Sequence, residues 1–124
     1  MNKWIGLAAG GLAGTFARYI VSGAVHRALG PTFPYGTLLV NTVGCFLIGV
    51  FAALAEEKFV LGPEARVLLM AGFCGAFTTF STFILETANL MRTGAGASAF
   101  LNISVSLAAG FLAMRLGFIA AEFI

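Results

Sequence analysis

Charge is scarce in this sequence of 124 residues, because only 10% of them are Asp, Glu, Lys or Arg. A soluble domain carries about 25% charged residues. The chain also has only one histidine and two cysteines. Cys45 and Cys74 lie in apolar stretches without CxxC spacing, so we expect two buried free thiols. Since His26 has neither further metal ligands nor a nucleophile beside it, the sequence does not favour a zinc site or an enzyme.

Hydrophobic residues make up 60% of the chain, and the mean hydropathy is +0.99. About 20 apolar residues in a row are enough for a helix to cross a membrane. Four such stretches are present, from about Trp4 to Val25, Tyr35 to Ala55, Val67 to Met91 and Ala97 to Ile119. We therefore predict an all-α membrane protein with a single four-helix transmembrane domain over residues 1–124. A cleaved signal peptide ahead of a soluble domain is not expected.

The connections between the stretches are short, at residues 26–34, 56–66 and 92–96, so we expect antiparallel neighbouring helices. Lys and Arg residues, which normally fix the orientation of a membrane protein, are nearly balanced. The terminal and middle segments hold four of them and the opposite side two, with Arg18 as a third if it is reached from there. So weak a bias permits insertion in both orientations, and hence an antiparallel homodimer. Charge alone permits a single orientation equally well.

Small and polar residues recur at intervals of four within three of the spans. The first span has Gly6, Gly10 and Gly14; the second has Thr37 and Asn41, followed by Gly44 and Cys45; the fourth has Ser98, Asn102, Ser106 and Gly110. The glycine track indicates a close contact between helices. The two polar stripes are typical either of hydrogen bonds between helices or of a polar pathway, because polar groups in a bilayer face a partner or water.

The third span contains the unusual segment GFCGAFTTFSTF, from Gly72 to Phe83. Gly and β-branched Thr disfavour an unbroken helix, and Thr and Ser hydroxyls can satisfy the backbone groups that a break exposes. We predict an interruption near Gly75 to Thr79, with a slight bend as the alternative. An interruption would expose carbonyls, which suit a cation, and the positive end of a helix, which suits an anion.

Two phenylalanines follow the predicted interruption. Phe80 and Phe83 are three residues apart, so both can project from one side of a helix. Packing in the core is the ordinary explanation. Because the edge of an aromatic ring is positive, the two rings could instead attract an anion along a dry pathway, together with the N–H groups of Asn41.

Apart from Arg115 near the end of the fourth span, two charged residues fall inside the predicted spans, where a charge costs at least about 2.5 to 3.5 kcal/mol. Arg18 could extend to the membrane surface from a helix that ends early, or it could lie at the mouth of an aqueous vestibule and attract anions. Glu86 could pair with an arginine or face the interior of the bundle.

Three segments carry a resemblance to a known family. They are GGLAGTFARY from Gly10 to Tyr19, YGTLLVNTVGCFLIG from Tyr35 to Gly49, and GFCGAFTTFSTF from Gly72 to Phe83. With these motifs, the chain resembles the bacterial fluoride channels, the Fluc or CrcB-like proteins, over essentially its whole length.

The resemblance implies a passive fluoride channel without catalysis, built as an antiparallel, dual-topology homodimer with two pores in the bacterial inner membrane. Its fluoride pore would include Asn41, Phe80, Phe83, Ser106, Thr37 and Thr82. Arg18 matches the vestibule arginine of the family. Carbonyls of Gly75 and Thr78 from both subunits would hold a structural sodium ion. The chain departs from the family pattern on the fourth helix. It has Asn102 and Gly110 at positions where the family can carry an aromatic hydroxyl and a serine.

Two other functions stay open at this point. A proton-coupled exporter of the small multidrug type is also a compact four-helix dimer, and it needs an intramembrane carboxylate, for which Glu86 is the candidate. A noncatalytic scaffold subunit would use the polar stripes to bind another membrane protein.

Overall fold

The computed structural model of the protein describes residues 2–124. Four helices in this range are long and apolar enough to cross a membrane: α1 (Lys3–Leu29), α2 (Tyr35–Glu57), α3 (Pro63–Arg92) and α4 (Gly96–Ala121). The described residues contain no strand. The fold is therefore that of an all-helical, multi-pass membrane protein, and α2 is the most buried of its helices.

The helices extend beyond the apolar stretches from which they were predicted. Helix α1 continues past Val25 to Leu29 and places His26 and Arg27 in its last turn, where basic side chains suit the negative end of a helix. It ends at Gly30, whose φ of 84° requires glycine. Helix α3 begins at Pro63, because proline is favourable in the first turn. Hydropathy thus identified the membrane-spanning part of each helix rather than its ends.

The connection between α2 and α3 is shorter than predicted. The last turn of α2 is a π-helical segment, Ala53–Glu57, so Glu56 and Glu57, which were assigned to the loop, belong to a helix. Arg66 of α3 folds back over this turn. Its guanidinium donates one hydrogen bond to the carbonyl of Ala55 and another, of 3.1 Å, to the carbonyl of Leu61. These bonds satisfy carbonyls that a helix end leaves without partners.

Helix α3 consists of two parts, which we call α3a (63–77) and α3b (Phe80–Arg92). Most of α3a is a π-helical segment, Val67–Cys74, and Gly75–Phe77 forms its last α-helical residues. Thr78 (φ −86°, ψ 159°) and Thr79 (φ −149°, ψ 121°) are extended, and helical geometry resumes at Phe80. The interruption was predicted to begin near Gly75. This residue stays helical, because its N–H bonds to the carbonyls of Gly72 and Met70.

The glycine track of α1 lies directly against the backbone of α3a. Gly10 faces the carbonyl of Leu68 and the N–H of Phe73, while Gly14 faces the carbonyl of Phe73. Gly72 of α3a faces the Cα atom of Gly10 in return. Because small residues let two helix backbones approach closely, this track fixes the position of α3a, and with it the position of Thr78 and Thr79.

Helix α2 is held by α4 in the same way. Gly49 faces the backbone of Met114, and Gly117 faces the carbonyl of Phe46. Near the end of this contact, Val50, Ala53 and Ala121 form a small buried cluster. Helix α2 therefore presents its polar stripe to α3 from a fixed position.

We predict that Gly10→Ala destabilises the protein, because the added Cβ would meet backbone atoms of α3a that cannot move aside. The expected loss is about 1–3 kcal/mol, typical of overpacking. Thermal unfolding in detergent, followed by circular dichroism, measures it. Gly11→Ala is the matched control, since nothing lies within 4 Å of its Cβ position. Equal melting temperatures for the two variants would contradict this packing.

Candidate functional site

The amide of Asn41 binds the backbone at the gap between α3a and α3b, which consists of Thr78 and Thr79. Its Nδ2 donates to the carbonyl of Thr79 (3.0 Å), and its Oδ1 accepts from the N–H of the same residue (2.8 Å). One asparagine therefore replaces both hydrogen bonds that Thr79 would make in a continuous helix. A backbone group without a partner is costly inside a membrane, so Asn41 stabilises the gap.

The two threonines of the gap satisfy further groups at the helix ends. The hydroxyl of Thr78 donates to the carbonyl of Cys74 at 2.9 Å, which stabilises the end of α3a. The hydroxyl of Thr79 accepts from the N–H of Thr82 at 3.3 Å and is therefore the N-cap of α3b. It also donates to the Thr82 hydroxyl at 3.1 Å.

Some backbone groups at the gap have no such partner. No hydrogen bond between residues 2 and 124 reaches the carbonyl of Thr78. The carbonyl of Gly75 loses its α-helical donor, because the N–H of Thr79 turns to Asn41 instead. At the other side, the first N–H groups of α3b have no helical acceptor. The gap thus offers carbonyls from α3a and N–H groups from α3b.

A polar cavity of about 790 Å³ lies on one side of the gap, and its lining includes both Thr79 and Thr82. Arg18 is half-buried and forms part of this lining. Glu86 lines the same cavity and accepts a hydrogen bond of 2.6 Å from the hydroxyl of Thr37. The only hydrogen of the Thr37 hydroxyl is therefore engaged.

A groove of about 400 Å³ lies on the other side of the gap and opens at the surface of the chain. Its lining includes Asn41, Gly75, Thr78, Thr79, Phe80, Phe83 and Ser106. Thr79 lines both the groove and the polar cavity. Thr79, which Asn41 binds, is therefore the residue that the two spaces share.

The two phenylalanines of the groove lie side by side at the start of α3b. The ring centroids of Phe80 and Phe83 are 6.0 Å apart, and the ring planes are tilted by 45°. Phe80 is 75% exposed in the single chain, so packing in its own core does not explain it. Phe83 is half-buried. Both rings therefore form one wall of an open groove.

The polar stripe of α4 also reaches the groove, through Ser106. The hydroxyl of Ser106 donates to Oδ1 of Asn102 at 3.4 Å, and Nδ2 of Asn102 donates to the hydroxyl of Thr87 at 2.9 Å. Asn102 is buried in the contact between α4 and α3b. Asn102 therefore makes the hydrogen bond between helices that was one interpretation of this stripe, while Ser106 lines the groove.

The structure divides the predicted site residues between the two spaces. Arg18, Thr37 and Thr82 line the polar cavity, whereas the groove takes the others: Asn41, Phe80, Phe83, Ser106, Gly75 and Thr78. Two residues that sequence reasoning missed are Thr79 and Thr87. A threonine directly before the first apolar residue of a helix is a recognisable N-cap. Thr79 precedes Phe80 in this way, so it could have been found.

Both cysteines are free, with Cys74 buried and Cys45 half-buried, as the sequence predicted for Cys74. Both line the groove. Between residues 2 and 124, no group of three or more His, Cys, Asp or Glu side chains is placed to hold a metal ion.

Comparison with known proteins shows the family of the chain. Residues 5–118 match the family described as CrcB-like protein, Camphor Resistance (CrcB). The fluoride-specific ion channel FluC of Maridesulfovibrio salexigens is 46% identical over 90% of this chain and 88% of its own. The FluC protein of Chlorobaculum tepidum is 47% identical over 98% and 96% of the two chains. Because the match spans the gap, the groove and the polar cavity alike, the chain belongs to the CrcB-like family.

Proposed function

We propose that this chain forms a passive fluoride channel in which ions pass the gap between the polar cavity and the groove. The observation that carries the proposal is the position of Asn41, which binds Thr79, the residue that the two spaces share. The two relatives are named fluoride-specific ion channels, which supports fluoride as the ion. No reaction is catalysed in this proposal.

The groups around the gap favour an anion. Asn41 uses one N–H on Thr79 and has a second one available, and the hydroxyl of Thr82 accepts from Thr79 without spending its own hydrogen. The N-terminus of α3b adds a partial positive charge. The edges of the Phe80 and Phe83 rings extend this positive lining into the groove. Arg18 would raise the local concentration of anions in the polar cavity.

Fluoride is small and strongly hydrated, so a pore must replace its water with N–H, O–H and ring-edge contacts while still releasing it. The lining described above offers these contacts without a cation inside the groove that would retain the ion. We propose that chloride is excluded because the passage at Asn41 is narrow and its walls are fixed by backbone hydrogen bonds.

The open groove supports a second copy of the chain as its cover, in an antiparallel, dual-topology homodimer with two pores. Phe80 is largely exposed, and Gly75 is exposed with its nearest neighbour, the carbonyl of Met70, 3.8 Å from its Cβ position. Nothing among residues 2–124 therefore requires glycine at this position. A second backbone lying against Gly75 would require it. We place this dimer in the inner membrane of a bacterial cell.

A structural sodium ion fits the exposed carbonyls of the gap. The carbonyl of Thr78 has no donor within the described chain, and that of Gly75 has lost its helical donor. Hard cations bind such oxygen ligands. The carbonyls of Gly75 and Thr78 of both copies would hold the ion. A bound ion would offset the partial negative charge of these oxygens where the two copies meet.

We predict that Phe80→Ile and Phe83→Ile each reduce fluoride efflux from proteoliposomes by at least tenfold, because isoleucine keeps the apolar volume but has no positive ring edge. A fluoride electrode measures the efflux, with potassium and an ionophore to remove the membrane potential. Size-exclusion chromatography should show that both variants still assemble. Phe100→Ile is the control, because Phe100 is exposed on α4 and lines neither the polar cavity nor the groove. Wild-type flux in both pore variants would remove the rings from the mechanism.

The same assay separates the channel from the other two functions. In an exporter, Glu86→Gln would abolish transport while Asn41→Ala would not. In the channel, Asn41→Ala is the damaging change. A protein that carries no fluoride and purifies with a second membrane protein would favour the scaffold.

We predict that Asn41→Asp opens the gap, because the carboxylate still accepts from the N–H of Thr79 but cannot donate to its carbonyl. A buried acceptor without its partner costs about 1–3 kcal/mol. Hydrogen exchange followed by mass spectrometry should show faster exchange in peptides that cover residues 77–83. Thr42→Val, one residue along α2, is the control. Unchanged exchange in Asn41→Asp would show that the amide does not stabilise the gap.

We predict that removing sodium lowers the thermal stability of the assembled protein. With sodium at 100 times its dissociation constant, the stabilisation is about 2.7 kcal/mol. Melting curves in sodium and in N-methylglucamine measure the difference at equal ionic strength. Identical curves would argue against a bound sodium ion.

A further inference from the structure

A chain of side-chain hydrogen bonds runs behind the groove from α4 to α3b. Ser106 donates to Oδ1 of Asn102 (3.4 Å), Nδ2 of Asn102 donates to the Thr87 hydroxyl (2.9 Å), and that hydroxyl donates to the carbonyl of Phe83 (2.7 Å). Ser106 and Phe83, at the two ends of this series of hydrogen bonds, both line the groove. Asn102 in the middle is only 1% exposed. A nearly inaccessible residue thus connects two walls of the groove.

The direction of the first bond conflicts with binding an anion. A serine hydroxyl has a single hydrogen, and while Ser106 directs it to Asn102 the oxygen lone pairs are what it offers to the groove. Lone pairs repel fluoride. If Ser106 turned its hydrogen to the groove, Oδ1 of Asn102 would lose its donor inside the protein, which is unfavourable.

An asparagine can resolve this conflict by rotating its terminal amide by about 180°, which exchanges the positions of Oδ1 and Nδ2. Nδ2 would then donate to the Ser106 oxygen, while Oδ1 would accept from the Thr87 hydroxyl, which turns away from the carbonyl of Phe83. Ser106 and Asn102 stay bonded to each other in both arrangements, and the Thr87 hydroxyl donates to Asn102 instead of to the carbonyl of Phe83. Accepting a hydrogen bond also makes the Ser106 hydroxyl a stronger donor, because bonds in a chain polarise one another.

We propose that Asn102 is a positioning residue for the groove, which holds the Ser106 hydroxyl when no ion is present and releases its hydrogen to an anion by turning the amide. This inference rests on the proposed fluoride channel. Asn102 itself does not line the groove and acts only through Ser106. The role requires a side chain that both donates and accepts, which leucine and valine cannot do.

The decisive experiment is a double-mutant cycle on fluoride efflux from proteoliposomes, with Asn102→Leu, Ser106→Ala and the double variant. We expect each single variant to lower the flux about tenfold, the size expected for one hydrogen bond to a charged group. In Asn102→Leu, the freed hydroxyl would turn back to the carbonyl four residues earlier, as serines in helices do. The double variant should conduct no less than the worse single one, because both changes remove the same donor.

Ser104→Ala is the matched control on α4, since Ser104 lines neither space and lies on the opposite side of the helix from Asn102 and Ser106. It should keep wild-type flux. Effects that multiply, to about a hundredfold in the double variant, would overturn the inference while leaving the channel intact. A wild-type protein without fluoride flux would overturn the channel and this inference together.

A second pair of variants distinguishes positioning from a purely structural role. Thr87→Val removes the hydroxyl that both arrangements need, whereas Thr87→Ser keeps it. We expect Thr87→Val to raise the fluoride concentration at half-maximal flux about tenfold, again the size of one hydrogen bond, and Thr87→Ser to restore it. A merely structural role would lower the melting temperature without moving that concentration, and this result would contradict the proposal.

Discussion

The two hydrogen bonds between Asn41 and Thr79 are the interaction on which the rest of the site depends. Lipid cannot bond to a backbone N–H or carbonyl, so a helix can stop inside a membrane only where the protein supplies the missing partners. Asn41 supplies both from one side chain. As a result, α3a and α3b can end and begin at the middle of the bundle, with backbone groups that the proposed channel would offer to ions.

The glycines make this arrangement possible from the outside of the bundle. Asn41 can reach Thr79 only if α2 and α3 lie close together, and Gly44 of α2 faces the methyl group of Thr78 directly. On the other side of α3a, Gly10 and Gly14 hold the helix by its backbone. The gap is therefore clamped between two contacts that leave no room for a side chain. This rigidity is what a passage that discriminates ions by size requires.

Much of this could be predicted from residue types and spacing. The four apolar stretches predicted the spans, the glycine track of α1 predicted a helix contact, and the stripe on α2 placed Thr37 and Asn41 on one face. The sequence could not show that Asn41 binds Thr79 or that Thr87 bonds to Asn102, because both bonds join residues of different helices. It also assigned Gly75 to the gap, where hydrogen bonding keeps it helical. Spacing along one helix does not determine the register between two.

Most hydroxyl and amide hydrogens around the proposed path are already bonded when no ion is present. Thr37 donates to Glu86, Ser106 donates to Asn102, and Asn41 gives one of its two N–H groups to Thr79. An ion that takes such a hydrogen exchanges one bond for another, so its net gain is small. A lining made only of free donors would bind fluoride strongly and release it slowly. Because conduction needs both entry and release, the internal acceptors of the pore matter as much as its donors.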